Sequence, residues 1–256
     1  MSLLIDAFLC RTDNVAAIVH DEGSGIAAAI DAPDADAVLA RAAGRGWRIG
    51  LILVTHRHAD HVAGNLAIKA ATGCTIVGPA AEADQIPGLD RGLGEGDTVA
   101  LGEAVFEVLE MPGHTAGGIA YWCAGEQIAF VGDTLFSLGC GRVPDGASAT
   151  AWSSLSRLAA LPRPTRIYCG HDNTENNGRF AATIEPGNLD LAARIDEAAK
   201  LRSAGRLTLP TTIGAELAAN PFLRANRPRL RRAMAMLKDE PEAVFAELRR
   251  RKDNFR

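Results

Sequence analysis

Three histidines and an aspartate fall within seven residues, Thr55-His56-Arg57-His58-Ala59-Asp60-His61. Three imidazoles this close would repel one another if protonated. As neutral ligands beside a carboxylate they become favourable around a divalent cation. His56 and His58 are two apart, with Arg57 pointing elsewhere, while the adjacent Asp60 and His61 can face a second point. The spacing suits two metals rather than one. Imidazole and carboxylate donors suit Zn, Fe or Mn.

Three further metal-capable residues each stand beside a glycine. They are His114 in Pro112-Gly113-His114-Thr115, Asp133 in Val131-Gly132-Asp133-Thr134 and His171 in Cys169-Gly170-His171-Asp172. A glycine there lets the backbone turn sharply, so that the next side chain can reach a shared point. Each alone reads as a turn aspartate, a cap or a satisfied histidine. Together with the Thr55–His61 stretch they recruit five of the six histidines.

The elements that must position these residues are legible as apolar runs. Strands are expected at 3–10, 15–20, 26–30, 49–54, 75–77, 104–109, 119–123, 128–131 and 166–169. The nearly continuous run 49–54 reads as a buried strand, and the histidine stretch as the loop at its C-terminal end, where α/β sheets bind ligands. Helices are expected at 34–43, 63–71, 148–160, 189–204, 228–237 and 242–252. Strands alternating with helices imply an α/β domain. The pattern changes after Asn176, and Pro186-Gly187-Asn188 supplies a break. The expected organisation is a catalytic domain, 1–175, followed by a helical substrate-binding domain, 176–256.

The chain has 256 residues, 47% hydrophobic and 23% charged, with a net charge of −4. These values fit a globular chain and exclude disorder. The charge is uneven. Residues 224–256 hold eleven Lys/Arg and five Asp/Glu, a net of +6, and the other 223 residues carry −10. The basic end fits a local anion site or a solvated helix, and the acidic body disfavours nucleic acid. Five widely spaced cysteines with no Cys-x-x-Cys pair fit a reducing compartment rather than a disulfide scaffold. No apolar run reaches 18 residues and no secretory signal is visible, so a cytoplasmic protein without membrane contact is expected.

The histidine stretch, with His114, Asp133 and His171 in this order, resembles the metallo-β-lactamase superfamily. Longer stretches resemble glyoxalase II, the hydroxyacylglutathione hydrolases. They are Gly132-Asp133-Thr134-Leu135-Phe136 with Gly139-Cys140-Gly141, Tyr168-Cys169-Gly170-His171 with Asn176-Asn177 and Arg179-Phe180, and Glu185-Pro186-Gly187-Asn188. Asn220-Pro221-Phe222-Leu223-Arg224 and Arg250-Arg251-Lys252-Asp253-Asn254-Phe255 continue the likeness almost to the end of the chain.

The resemblance implies a four-layer αββα sandwich followed by a small α-helical domain. It implies two divalent metal ions per chain, zinc first and iron or manganese as alternatives. His56, His58 and His114 would hold the first metal, and Asp60, His61 and His171 the second, with Asp133 bridging. The implied reaction is hydrolysis of S-D-lactoylglutathione to D-lactate and glutathione, the second step of methylglyoxal detoxification. A metal-bound water would be the nucleophile, oriented by Asp60. A thiolate with a free pKa of about 8.5 leaves without a dedicated general acid. Arg142, Arg249 and Lys252 occupy the family's basic, glutathione-binding positions. The expected partner is a small-molecule glutathione thioester, and the expected state a monomer.

The chain also departs from the family. Pro144 and Asn173 stand where aromatic or tyrosine residues are common, Val15 follows Asp13-Asn14 in place of tyrosine, and Gly118 replaces a second histidine. Competing readings are a persulfide dioxygenase, which typically lacks the helical end, another sandwich hydrolase (a lactonase, β-lactamase or nuclease), and a binding module on a degenerate site.

Overall fold

A computed structural model of the protein describes residues 3–255. These residues divide into two compact units. The first comprises residues 3–110 and Thr115–Gly132, the second Met111–His114 and residues 133–255.

The first unit begins with β1 (Leu3–Leu9), β2 (Val15–Asp21), β3 (Ile26–Ile30), α1 (Ala35–Arg45) and β4 (Arg48–Leu53). It continues with α2 (Ala59–Val62), α3 (Asn65–Thr72), β5 (Thr75–Pro79) and β6 (Arg91–Leu93). Strands β1 to β6 form one six-stranded sheet in chain order. The first three pair antiparallel, and β3 to β6 pair parallel. Asp34 caps α1 by accepting from the Ala37 amide, and Gly46 ends it in the left-handed region. The helices cover the sheet with Val38, Ala42 and Ile68, which pack among Ala16, Ile18, Ala29, Ile52 and Ile76. The small residues of β2 and β3 let the helices lie close.

Strands β7 (Thr98–Leu101), β8 (Ala104–Glu110), β9 (Ile119–Cys123) and β10 (Ile128–Phe130) complete this unit as an antiparallel set. The Tyr121 side chain is wholly buried, and its hydroxyl donates to the Val54 carbonyl at 2.8 Å, tying β9 to the end of β4.

The second unit contains the hairpin β11 (Leu135–Phe136) and β12 (Gly139–Cys140), then α4 (Ser148–Ala159), β13 (Arg166–Tyr168), α5 (Thr174–Ile184) and α6 (Leu189–Ser203). After these come β14 (Thr211–Thr212), α7 (Ile213–Ala219), α8 (Pro228–Ala233) and α9 (Pro241–Asp253). Its core is an aromatic chain. Ring centroids of Trp152 and Phe245, Phe245 and Phe222, and Phe222 and Phe180 stand 6.0–6.1 Å apart.

Three local expectations change. The helical turn α2 places Asp60 and His61 on a helix rather than on the expected loop. Its register is held by the Ala32 amide donating to the His61 carbonyl, and the Gly64 amide to that of Ala32. The expected helix 228–237 stops at Ala233, because Ala235 turns to φ +60° and the Met236 amide folds back onto Arg231. Helix α5 was not anticipated. Its Thr-Glu-Asn-Asn-Gly start has poor helix propensity, and burial of Phe180, Ala181 and Ile184 overrides it.

Candidate metal centre

In the first unit, the parallel pairing of β3 and β4 aligns Ile30 with Leu53, so Asp31 and the Val54-Thr55 segment leave the sheet side by side. Asp31 is buried and adopts φ +56°. Its Oδ1 accepts the Thr55 amide at 2.7 Å, and its Oδ2 accepts the Thr55 hydroxyl at 2.8 Å and His61 Nδ1 at 2.8 Å. The Thr55 hydroxyl spends its proton on a carboxylate, so at 3.0 Å it accepts from His56 Nδ1. Both imidazoles are thereby held as the tautomer with a lone pair on Nε2.

His56 Nε2 stands 3.1 Å from His58 Nδ1. Two ligands at 2.0–2.1 Å from a tetrahedral ion are about 3.3 Å apart, so this pair is spaced to share one ion. His61 Nε2 points toward Asp60 Oδ2 at 3.8 Å, and Asn14 Nδ2 donates to the same carboxylate oxygen at 3.0 Å. Gly132, at φ +49°, leaves room for Thr55, since a Cβ there would lie 2.5 Å from its hydroxyl.

In the second unit, the Pro112-Gly113-His114 segment lies on α4. Ser154 donates to the Pro112 carbonyl at 2.6 Å, and a Cβ on Gly113 would meet Ala151 Cα at 2.7 Å. His114 Nδ1 donates to the Arg142 carbonyl at 2.8 Å, which leaves the lone pair on Nε2. That Nε2 faces Asp133 Oδ2 at 3.5 Å, and His171 Nε2 faces the same oxygen at 3.3 Å. At His114 an imidazole lone pair and a carboxylate oxygen are both acceptors, and bringing them together calls for a cation between them. Both distances suit neighbouring ligands on one ion. Asp172 fixes the segment after His171 by accepting from the Thr208 amide and from the hydroxyls of Thr208 and Thr174.

His114 and Asp133 line a narrow cleft with Gly141, Val143, Leu155 and Phe245. On α9, Arg249 is buried. It donates to the Cys140 carbonyl at 3.0 Å and to Asp253 at 2.7 Å, with its guanidinium over the Phe222 ring. Lys252 is half-buried between the Phe180 and Phe255 rings and donates to Asn176. Burial, then the nearby Arg249 and Arg179, lower its pKa to about 8. The Arg142 side chain is exposed. Among the described residues, those grouped so that they could hold metal are His56, His58, Asp60 and His61 in one unit and His114, Asp133 and His171 in the other.

The sequence model of the metallo-beta-lactamase superfamily matches residues 2–171, and that of the hydroxyacylglutathione hydrolase C-terminus matches residues 172–255. Hydroxyacylglutathione hydrolases of Rhizobium etli and Brucella ovis are each 50% identical to this chain. The match covers 99% of the chain and 99% and 98% of those proteins, respectively. The chain belongs to the hydroxyacylglutathione hydrolase family. It has the metallo-β-lactamase fold followed by a helical C-terminal part. Among solved structures, ETHE1 from Myxococcus xanthus superposes with a TM-score of 0.67 at 24% identity, covering 99% of this chain and all of that one. The BLEG-1 B3 metallo-beta-lactamase gives 0.65 at 21% identity, over 86% of this chain and 99% of that one.

For a hydroxyacylglutathione hydrolase, the sequence reading missed the supporting residues Asp31, Asn14 and Asp172. Asp31 left a usable trace, a carboxylate directly after the apolar strand Ile26–Ile30.

Proposed function

We propose that this chain hydrolyses the thioester bond of S-(2-hydroxyacyl)glutathione, with S-D-lactoylglutathione giving D-lactate and glutathione in the second step of methylglyoxal detoxification. The observation that carries the reading is the full-length match at 50% identity to hydroxyacylglutathione hydrolases. The C-terminal match over residues 172–255 favours it over a persulfide dioxygenase, whose branch typically lacks that part.

His56, His58 and His114 would hold one divalent metal, Asp60, His61 and His171 a second, with Asp133 bridging. Zinc is the proposed ion. The donor set supports this assignment, because the Thr55 hydroxyl, Asp31 and the Arg142 carbonyl accept from Nδ1 of His56, His61 and His114, which puts the lone pair of each on Nε2. When bound, such a pair supplies Lewis acidity toward water and a thioester carbonyl. Asp60, held by Asn14, orients the attacking oxygen. Arg142 and Lys252 receive the carboxylates of the glutathione portion, with 176–256 as the substrate-binding domain. Arg249, placed by the sequence among these positions, is buried on the Cys140 carbonyl and Asp253 and holds that backbone instead. The thiolate leaves as an anion, so no side chain needs to deliver a proton to it. The protein is proposed to act as a cytoplasmic monomer. Among the described residues no helix is long and apolar enough to cross a membrane.

The deciding experiment follows S-D-lactoylglutathione hydrolysis at the thioester absorbance while bound metal is counted on the same sample. Turnover with two metals per chain supports the proposal. Two metals without turnover would sink the substrate assignment and direct attention to Pro144 and Asn173.

Two outcomes are expected from the supporting residues. Asp31→Asn retains a residue that tolerates positive φ but cannot accept all three donors. Affinity for zinc, read by chelator competition, should fall about 10–100-fold, as for other partners of metal ligands. The Lys252 ammonium is charged below its pKa of about 8 and neutral above it. An anionic substrate therefore binds best at lower pH, and kcat/KM should decline as pH rises through about 8. In Lys252→Arg the alkaline limb should move to higher pH, because a guanidinium keeps its proton.

A further inference from the structure

The 3-10 turn Ala80–Gln85, which follows β5, carries one deeply buried carboxylate, Glu82, 3% exposed. Its two oxygens are spent on two backbone amides from different segments. Oε2 accepts the Arg57 amide at 2.8 Å and Oε1 the Gly117 amide at 2.9 Å. The Arg57 amide lies between His56 and His58, and Gly117 is three residues after His114. The two segments are joined again where the Ile119 amide donates to the Thr55 carbonyl at 2.9 Å. Gly117 is built for the contact, since a Cβ there would lie 2.8 Å from Glu82 Cγ and 2.7 Å from Ala81 Cβ. A buried carboxylate is costly unless hydrogen-bonded. Here the compensation comes from amides, while the Arg57 guanidinium stays 3.7 Å away and partly exposed.

We propose that Glu82 is a positioning residue for the first metal. It fixes the peptide between His56 and His58, so that both nitrogens reach one ion, and ties that peptide to the segment leaving His114. The proposal rests on the metal assignment above. It takes the Arg57 side chain to be incidental, and the amide as the group that Glu82 acts upon.

The test is cobalt titration of the metal-free full chain, read by the visible d–d spectrum and by the number of ions bound, for wild type, Glu82→Gln, Glu82→Asp and Arg57→Ala. Gln has the same shape but one acceptor and one donor, so it can satisfy only one amide. The expected result is two cobalt ions in wild type, and in Glu82→Gln an altered spectrum with one ion bound about 10–100-fold more weakly. Glu82→Asp should fall between them, and Arg57→Ala should match wild type. If Glu82→Gln fails to fold, Glu82→Asp against Arg57→Ala makes the same comparison. Wild-type spectrum and affinity in the Glu82 variants, or an equal loss in Arg57→Ala, overturns the proposal. Failure of wild type to take up cobalt overturns the metal reading itself, and this proposal with it.

Discussion

Asp133→Asn is expected to abolish the metal response of the protein while leaving its fold intact. In wild type, Asp133 Oδ2 faces the Nε2 atoms of His114 and His171, and at His114 two acceptors meet, a contact that a cation completes. An asparagine can turn its NH₂ toward one of these nitrogens and satisfy the contact without a cation. The metal-free variant should therefore be at least as stable as metal-free wild type. Adding zinc should raise the melting temperature of wild type, because a ligand bound only to the native state stabilises it. The variant should show little or no rise. Its kcat on the thioester should fall about a thousandfold, since Lewis-acid stabilisation is worth several kcal/mol and each 1.36 kcal/mol is a factor of about ten. Differential scanning fluorimetry with and without zinc, beside the thioester assay, checks both halves. A variant that gains as much from zinc as wild type would remove Asp133 from the metal assignment.

The largest expected loss of stability is at Glu216, far from the metal ligands in sequence. This carboxylate is wholly buried, and burial raises its pKa. It accepts the Leu138 amide at 2.8 Å, the Thr211 hydroxyl at 2.6 Å and Asn220 Nδ2 at 2.9 Å. Asn220 also donates to the carbonyls of Phe136 and Gly139, so the pair clamps the β11–β12 hairpin from both strands. Leu138, at the hairpin tip, sits at φ +58°, a conformation that a bulky residue adopts only when its surroundings hold it there. Glu216→Ala leaves the buried Leu138 amide and Thr211 hydroxyl short of an acceptor, at about 1–3 kcal/mol each, while Asn220 keeps the two carbonyls. A loss of about 2–5 kcal/mol is expected, allowing for partial relaxation. It should appear as a lower urea midpoint. Glu216→Gln keeps one acceptor and should lose less.

The metal-capable residues were legible because imidazole clusters are rare and glycine-flanked strand ends are conspicuous. The strands that carry them were legible for the same reason as any buried strand: Ile49–Val54 has almost no polar residue. What stayed hidden depends on contacts across long separations. Asp31 meets His61 across 30 residues, Glu82 meets Arg57 across 25, and Glu216 meets Leu138 across 78. Glu82 and Glu216 have no local spacing that marks them and read as ordinary surface charges, and Asp31 is marked only by its place directly after the apolar strand Ile26–Ile30. Helix α5 was hidden for a related reason, since its polar start is stabilised by partners such as the Ser137 carbonyl, which Asn177 reaches across 40 residues. The basic C-terminal end was legible as charge but not as structure. Arg249 is buried on protein carbonyls, whereas Arg250 and Arg251 pair with Glu247 on the exposed surface.

The three residues Cys140–Arg142 serve two masters. His114 takes the carbonyl of Arg142, Arg249 takes that of Cys140, and a Cβ on Gly141 would lie 2.0 Å from the Asp133 carbonyl. Backbone length in this arc is therefore not free to drift during divergence. An inserted or deleted residue would displace a metal-capable histidine and a buried cation in the same event. Side-chain exchange at the exposed positions Arg142 and Pro144 carries no such penalty. New acyl or thiol preferences in this lineage should accordingly be acquired by substitution at these two positions, with the length of the arc held constant.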